Sequence, residues 1–211
     1  MAPSSWAQCF AAGGTIAAVF LALFKDFFLT WYRRPRLDAS WEDNAPWTAK
    51  VPWIEPGWTG DRYWLRIRVE NSGKTRAEKV EVYAAELSER RADGKFAPIP
   101  TFLPLDMKWS HPDAMVIRDG ISPKMATFCD IVALCDPAKP NPRFQGQQPP
   151  GAAPINPAEL QLEAITTCNL LPPGTYQLRL RIAAANAKPI NKILEFTHTG
   201  SGLTLVPSPK G

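Results

Sequence analysis

The chain has 211 residues, of which 45% are hydrophobic and 21% charged, with 22 prolines, 8 tryptophans, 4 cysteines and 2 histidines. At roughly 100–200 residues per domain this length fits one core with appendages; the proline share excludes an all-helical bundle, because helix interiors tolerate proline poorly. Two histidines leave little room for His-rich metal sites, and a formal charge of +4 is too mild to imply a polyanion, so nucleic acid is not an expected partner.

The first element is apolar. Trp6 to Phe24 (WAQCFAAGGTIAAVFLALF) carries no charge. As helix it rises about 28 Å, close to the roughly 30 Å of a bilayer's hydrocarbon core. A cleaved signal peptide needs a positive n-region, and residues 1–8 hold no Lys or Arg. A buried helix apolar on all faces needs a core that surrounds it, which the rest of the chain is poorly sized to build. An uncleaved anchor is therefore expected over 1–36, with Gly13 and Gly14 permitting close helix packing. Lys25 can snorkel, Trp31 and Tyr32 suit the interface, and Arg33, Arg34 and Arg36 follow. With no basic residue before the span, the positive-inside rule predicts the N-terminus out and the C-terminal domain in the cytoplasm. Cys129, Cys135 and Cys168 make an odd set in that domain, which favours a reducing compartment.

Residues 37–60 read as a linker: Pro46, Pro52 and Pro56 keep the chain extended. Trp41, Trp47, Trp53 and Trp58 suit either the membrane interface or packing on the following domain.

From Asp61 the period becomes two. In RYWLRIRVEN, Tyr63, Leu65, Ile67 and Val69 point one way and Arg62, Trp64, Arg66 and Arg68 the other. KVEVYAAEL follows, with Val80, Val82 and Ala84 on one face. An Asp-Gly turn leads into KFAPIP, an edge strand by its prolines. TFLPLDMKWSH and AMVIRDG are ambiguous, and KMATFCDIVALCD is a strand. The proline-rich run 137–157 reads as a long surface loop. LQLEAITTC, TYQLRLRIAAAN and NKILEFTH complete a set that predicts an antiparallel β-sandwich over 61–200, with 201–211 as a tail.

LRIRVENSGKTRAEKVEVYAAEL resembles the opening of a bacterial immunoglobulin-like domain of the cell-adhesion-related (CARDB-like) kind. There a strand ends in an Asn-x-Gly turn, passes a small residue and enters a Val-x-Val strand; here the positions are Asn71, Gly73, Ala77, Val80 and Val82. PPGTYQLRLRI is similar to the penultimate strand of such a sandwich. The resemblance implies a mainly β, immunoglobulin-like sandwich; the single transmembrane helix expected before it is read from the Trp6–Phe24 span. It implies a scaffold or binding role and no chemistry of its own.

Chemical constellations are sparse. Cys129 and Cys135, six apart on one straight strand, share a face about 20 Å apart and cannot share a metal or a disulfide. His111, beside Asp106 and Asp113, is a candidate acid/base or ligand pair, but no nucleophile or second His lies near it. His198 has no acidic neighbour in sequence. No phosphate loop, Gly-x-Ser-x-Gly or Cys-x-x-Cys occurs, so no catalytic residue, metal, cofactor or small-molecule ligand is expected. The alternative is an enzyme built on the His111/Asp113 region.

The remaining feature is basic. If their strands share a sheet, Arg62, Arg66 and Arg68 around Trp64, with Arg179 and Arg181, form a contact surface for a nucleic acid, an acidic partner or anionic lipid headgroups. The competing reading pairs these arginines with Glu70, Glu81, Glu86 or Glu195. The expected function is a non-catalytic, membrane-tethered interaction module that presents this face or the 137–157 loop to a protein partner. The alternative is an exported cell-envelope binding or adhesion module.

Overall fold

The computed structural model describes residues 4–110, 116–139, 141–147, 156–163 and 169–207. The chain forms two units, Met1–Arg34 and Pro35–Gly211.

The first is helix α1, Ser4–Arg33. Its apolar side chains, among them Ile16, Val19, Phe20, Leu21, Leu23, Phe24 and Phe27, are exposed, and Phe20 stacks on Phe24. Among the described residues no helix is long and apolar enough to cross a membrane.

The second unit is mainly β, two antiparallel sheets packed as a sandwich. The first sheet holds β1 (Leu37–Ser40), β2 (Thr48–Glu55), β3 (Trp58–Asn71), β8 (Ala126–Cys135), β9 (Ala158–Leu160) and β10 (Leu170–Leu171). Its order is β1-β3-β8-β9-β10, with β2 also on β3. The second runs β13 (Leu203–Leu205), β12 (Ala187–His198), β11 (Gly174–Ala184), β4 (Ala77–Arg90) and β5 (Phe96–Pro98); β6 (Leu105–Asp106) and β7 (Ile117–Ile121) also pair with β4. The orders β1-β3-β8 and β12-β11-β4 are compatible with an immunoglobulin-like module.

Alternation builds the core as expected. Leu65, Ile67 and Val69 from β3, Val80, Val82 and Ala84 from β4, and Leu178, Leu180 and Ile182 from β11 are all buried. Asn71 ends β3 at the predicted turn, and the turn is held by its amide. Its Oδ1 accepts from the backbone N–H of Gly73 (3.0 Å) and Arg36 (3.1 Å), and its Nδ2 donates to the carbonyls of Thr75 (2.7 Å) and Ile121 (3.0 Å). A fully buried side-chain amide is tolerated here because every one of its polar atoms is paired.

The stretch 37–60 is not a linker. It supplies β1 and β2 and the start of β3, because a sheet edge accepts proline where a neighbouring N–H is not required. Trp41 and Trp58 are buried, and their Nε1 donors find the carbonyls of Val206 (2.9 Å) and Lys139 (2.9 Å). The described part of 137–157 also departs from a plain surface loop: Pro142–Gln147 is a 3-10 helix whose Phe144 joins Trp58 and Cys135 in a second, smaller apolar cluster.

β11 enters from the Pro-Pro-Gly turn with Tyr176 fully buried on Phe196, ring centroids 5.6 Å apart. Its Oη donates to the Pro172 carbonyl at 2.8 Å, the corner contact found in sandwiches of this type. The ring lies over Gly174, where a Cβ would stand 3.0 Å from Oη. Tyr176→Phe keeps the ring and removes this bond, so it is expected to cost about 1 kcal/mol. That would appear as a lower urea midpoint at unchanged slope; an unchanged midpoint would contradict the role given to the corner.

His198, at the end of β12, is fully buried. Its Nδ1 accepts from the Gly200 N–H at 3.2 Å, and its Nε2 makes no hydrogen bond among the described residues. Burial holds the imidazole below its ordinary 6.5, so it is neutral in the folded domain and gains a proton on unfolding below that value. The stability it contributes is complete above about pH 6.5 and is lost as the pH falls below it. Denaturant midpoints measured from about pH 7 to about pH 5 should fall more steeply for the parent than for His198→Gln. Parallel curves would exclude the histidine as the cause.

Candidate functional site

The site forms where β8 changes partners. Its register with β3 slips between Leu65/Val132 and Arg66/Asp130, leaving Ile131 as an extra residue. Beyond this bulge the two halves of β8 have different neighbours. Residues 132–134 pair with β9, while the N–H of Asp130 donates to Lys108 O (3.0 Å) and that of Ser110 to Phe128 O (3.0 Å). Segment 105–110 thus begins on the second sheet, through β6, and ends on the first. Bulges re-aim side chains in this way and are common beside sites.

The bulge also corrects the strand parity. Cys129 lies opposite Ile67, on the core side, and Cys135 opposite Arg62, on the outer side. They do not share a face. Both are free and buried, and burial pushes both thiols up. Cys168, His111 and Asp113 lie outside the described residues.

On the outer face of the first sheet, around this junction, is an open depression of about 410 Å³. β2 contributes Val51 and Trp53, β3 contributes Arg62, Trp64 and Arg66, β8 contributes Asp130, and the crossing segment and the chain after β9 contribute Lys108, Ser110 and Gln161. Its aromatic and basic groups form an alternating ladder. The Arg62 guanidinium lies 4.6 Å from the Trp64 ring centroid and 5.3 Å from that of Trp53, and Arg66 lies 5.7 Å from Trp64 on its own account. Trp53 meets Trp64 edge-on at 5.6 Å. These contacts combine ring burial with cation–π attraction.

Charge is balanced beneath the ladder. Arg62, only 5% exposed, reaches Glu159 at 2.6 Å and Glu55 at 3.3 Å. Arg143 takes the other Glu159 oxygen (3.1 Å), and Asn141 and Trp53 donate to Glu55 at 3.1 Å and 3.0 Å. Arg66 pairs with Asp130 through Nε (2.8 Å), and the Ser110 hydroxyl donates to the same carboxylate. Two buried donors in this region, Arg62 Nε and Trp64 Nε1, have no hydrogen-bond partner among the described residues. Lys108 makes no ion pair among the described residues.

The five arginines of the expected contact surface do not come together. Arg62, Arg66 and Arg68 stand on the first sheet, Arg179 and Arg181 on the second. Arg68 pairs with Glu70 and Arg179 with Glu86 (3.6 Å), two of the four glutamates named in the competing reading; Arg181 is exposed. Glu195 instead accepts from Gln177. Alternation placed Arg62 and Trp64 outward, which is where they are; that Trp53 of β2 packs on both was not legible. Arg33 closes α1, Arg34 lies over Trp31 at 5.6 Å, and the Arg36 N–H caps Asn71.

Among the described residues no group of His, Cys, Asp or Glu is arranged to hold a metal ion. A scan against protein-family models and a search of the curated proteins find no match for this chain.

Proposed function

We propose that the protein is a non-catalytic interaction module, tethered to the inner membrane by α1 and presenting its β-sandwich to a protein partner. One observation carries the reading: the depression on the outer face of the first sheet concentrates Trp53, Trp64, Arg62 and Arg66. Trp and Arg, in a pocket rimmed by polar groups, are the residue types that dominate binding energy at protein interfaces.

The tether rests on the charge-free sequence Trp6–Phe24 and on the exposed apolar side chains of α1. Its direction, N-terminus out and domain in the cytoplasm, rests on Arg33, Arg34 and Arg36 following the span. The likeness to cell-adhesion-related immunoglobulin-like domains fits a module that binds rather than reacts.

Native thiols report poorly on topology, since Cys129 and Cys135 are buried. A cysteine at Ile193, which is 54% exposed on the second sheet, gives a direct test. In the full-length protein, Ile193→Cys should add membrane-impermeant label only after permeabilisation. Added label in intact cells would overturn the cytoplasmic placement. A photo-crosslinking residue at Val51, which lines the depression on β2, should give a discrete adduct in cells where one at Ile193 gives none. Equal yields, or none at either position, would overturn the assignment of this face.

A further inference from the structure

The geometry points to the chemistry of the partner: the depression is a socket for an acidic-aromatic segment of a protein, a Trp, Tyr or Phe side chain next to Asp or Glu. This inference rests on the reading of the outer face as the contact surface and adds the class of ligand.

The aromatic preference comes from the ladder. Trp53, Arg62, Trp64 and Arg66 alternate ring and cation, and each neighbour completes the one before it. Trp53 is the end member on β2 and is 36% exposed. Arg66 is the end member at the bulge, and its only ion pair among the described residues is through Nε, so both terminal nitrogens are uncommitted. A planar ring added to this depression continues the stacking at either end, covering the Trp53 indole or the Arg66 guanidinium. The volume of about 410 Å³ has room for one large side chain and the backbone that carries it.

The acidic preference comes from the charges left over. Arg62 is balanced by Glu55 and Glu159, and Arg66 by Asp130. Lys108 remains, a cation on the rim with no counter-charge among the described residues. A carboxylate next to the inserted ring meets it, whereas a basic segment brings like charges together at Lys108. Gln161 and Ser110 stand beside Lys108 in the lining, giving the segment's backbone polar groups to pair with.

The test is a selection of random displayed peptides against the full-length protein in nanodiscs. Enrichment of sequences carrying an aromatic residue within two positions of Asp or Glu is expected. Capped synthetic peptides from the selected set should lose about tenfold or more in affinity for Lys108→Glu and for Trp53→Ala. Arg181→Ala, on the other sheet, should bind them as the parent does. Lys108 is on the rim and not in the core, so Lys108→Glu keeps the test sound if Trp53→Ala proves unstable in a melting control. Enrichment of basic or aliphatic sequences, no enrichment, or binding indifferent to Lys108→Glu would each overturn the inference. Failure here, with crosslinking at Val51 retained, would leave the contact surface standing and remove only the ligand class; loss of both would remove the parent reading.

Discussion

Arg62→Met is expected to destabilise the sandwich by about 3–5 kcal/mol, the usual cost of removing one partner from a buried ion pair. The side chain is 6% exposed, and its partners Glu159 and Glu55 are 8% and 19% exposed. Methionine replaces much of the aliphatic volume but leaves two carboxylates facing each other across the space where the guanidinium stood. Arg143 and Asn141 still reach Glu159 and Glu55, which places the loss toward the lower end of that range. For a domain of this size it corresponds to a fall in melting temperature of roughly 6–20 °C. The accompanying loss is in packing, since the Arg62 guanidinium lies over both the Trp53 and the Trp64 rings.

The compensating variant decides the cause. Adding Glu159→Gln to Arg62→Met removes one of the stranded charges and should recover part of the stability, although Glu159→Gln alone is destabilising. A double variant as unstable as the sum of the singles would show that Arg62 acts through packing alone and not through its charge.

How far the sequence disclosed this arrangement depends on the range of the physics involved. Alternation is local, so β3, β4, β8, β11 and β12 were legible, with the faces of β3, β4 and β11, as were the Asn71 turn and the Pro-Pro-Gly entry to Tyr176. The two-sheet antiparallel sandwich followed from them. Residues 37–60 misled because three prolines mask strand character: Pro46 and Pro56 lie in turns, and Pro52 is tolerated in β2 only by virtue of which side its neighbour lies on, a fact of tertiary structure. The bulge at Ile131 left no local signature either. It reverses the parity of Cys135 and with it the expectation for the cysteine pair. The site suffered most: Arg62, Trp64 and Arg66 were named from one strand, but Trp53, Lys108, Asp130 and Gln161 arrive from elements whose neighbourhood depends on register. The patch that joined them to Arg179 and Arg181 required one sheet, and the chain makes two. A feature that did exist in the sequence is the opposite-charge count, since the acidic partners of Arg68 and Arg179 were among the glutamates considered.

Trp109 carries the other large expected effect, because it stands where the chain passes from one sheet to the other. Met107 accepts no slack on one side, its N–H bonded to Val82 O at 2.7 Å in β4, and Trp109 bridges to Cys129 in β8 on the other. The indole is 2% exposed, and its Nε1 donates to Val116 O at 3.1 Å. Trp109→Ala removes a large buried ring at a position tied by backbone pairing on both sides, so the segment has little freedom to collapse into the space. A loss of about 3–5 kcal/mol is expected. Trp109→Phe retains most of the apolar area and gives up the hydrogen bond, for a loss of about 1–2 kcal/mol. A second readout separates a local cavity from global unfolding. Cys129 is fully buried, with its thiol pushed up by that burial and by Asp130, and its Sγ donates to Lys108 O at 3.3 Å. In native conditions Trp109→Ala should therefore raise the alkylation rate of Cys129 well before the domain melts, while Cys135, in the other apolar cluster, keeps the parent's rate. If both thiols accelerate together, the ring holds the whole domain rather than the crossing; if neither does and the melting temperature is unchanged, the crossing is held by its backbone pairing alone and the packing role assigned to Trp109 is wrong.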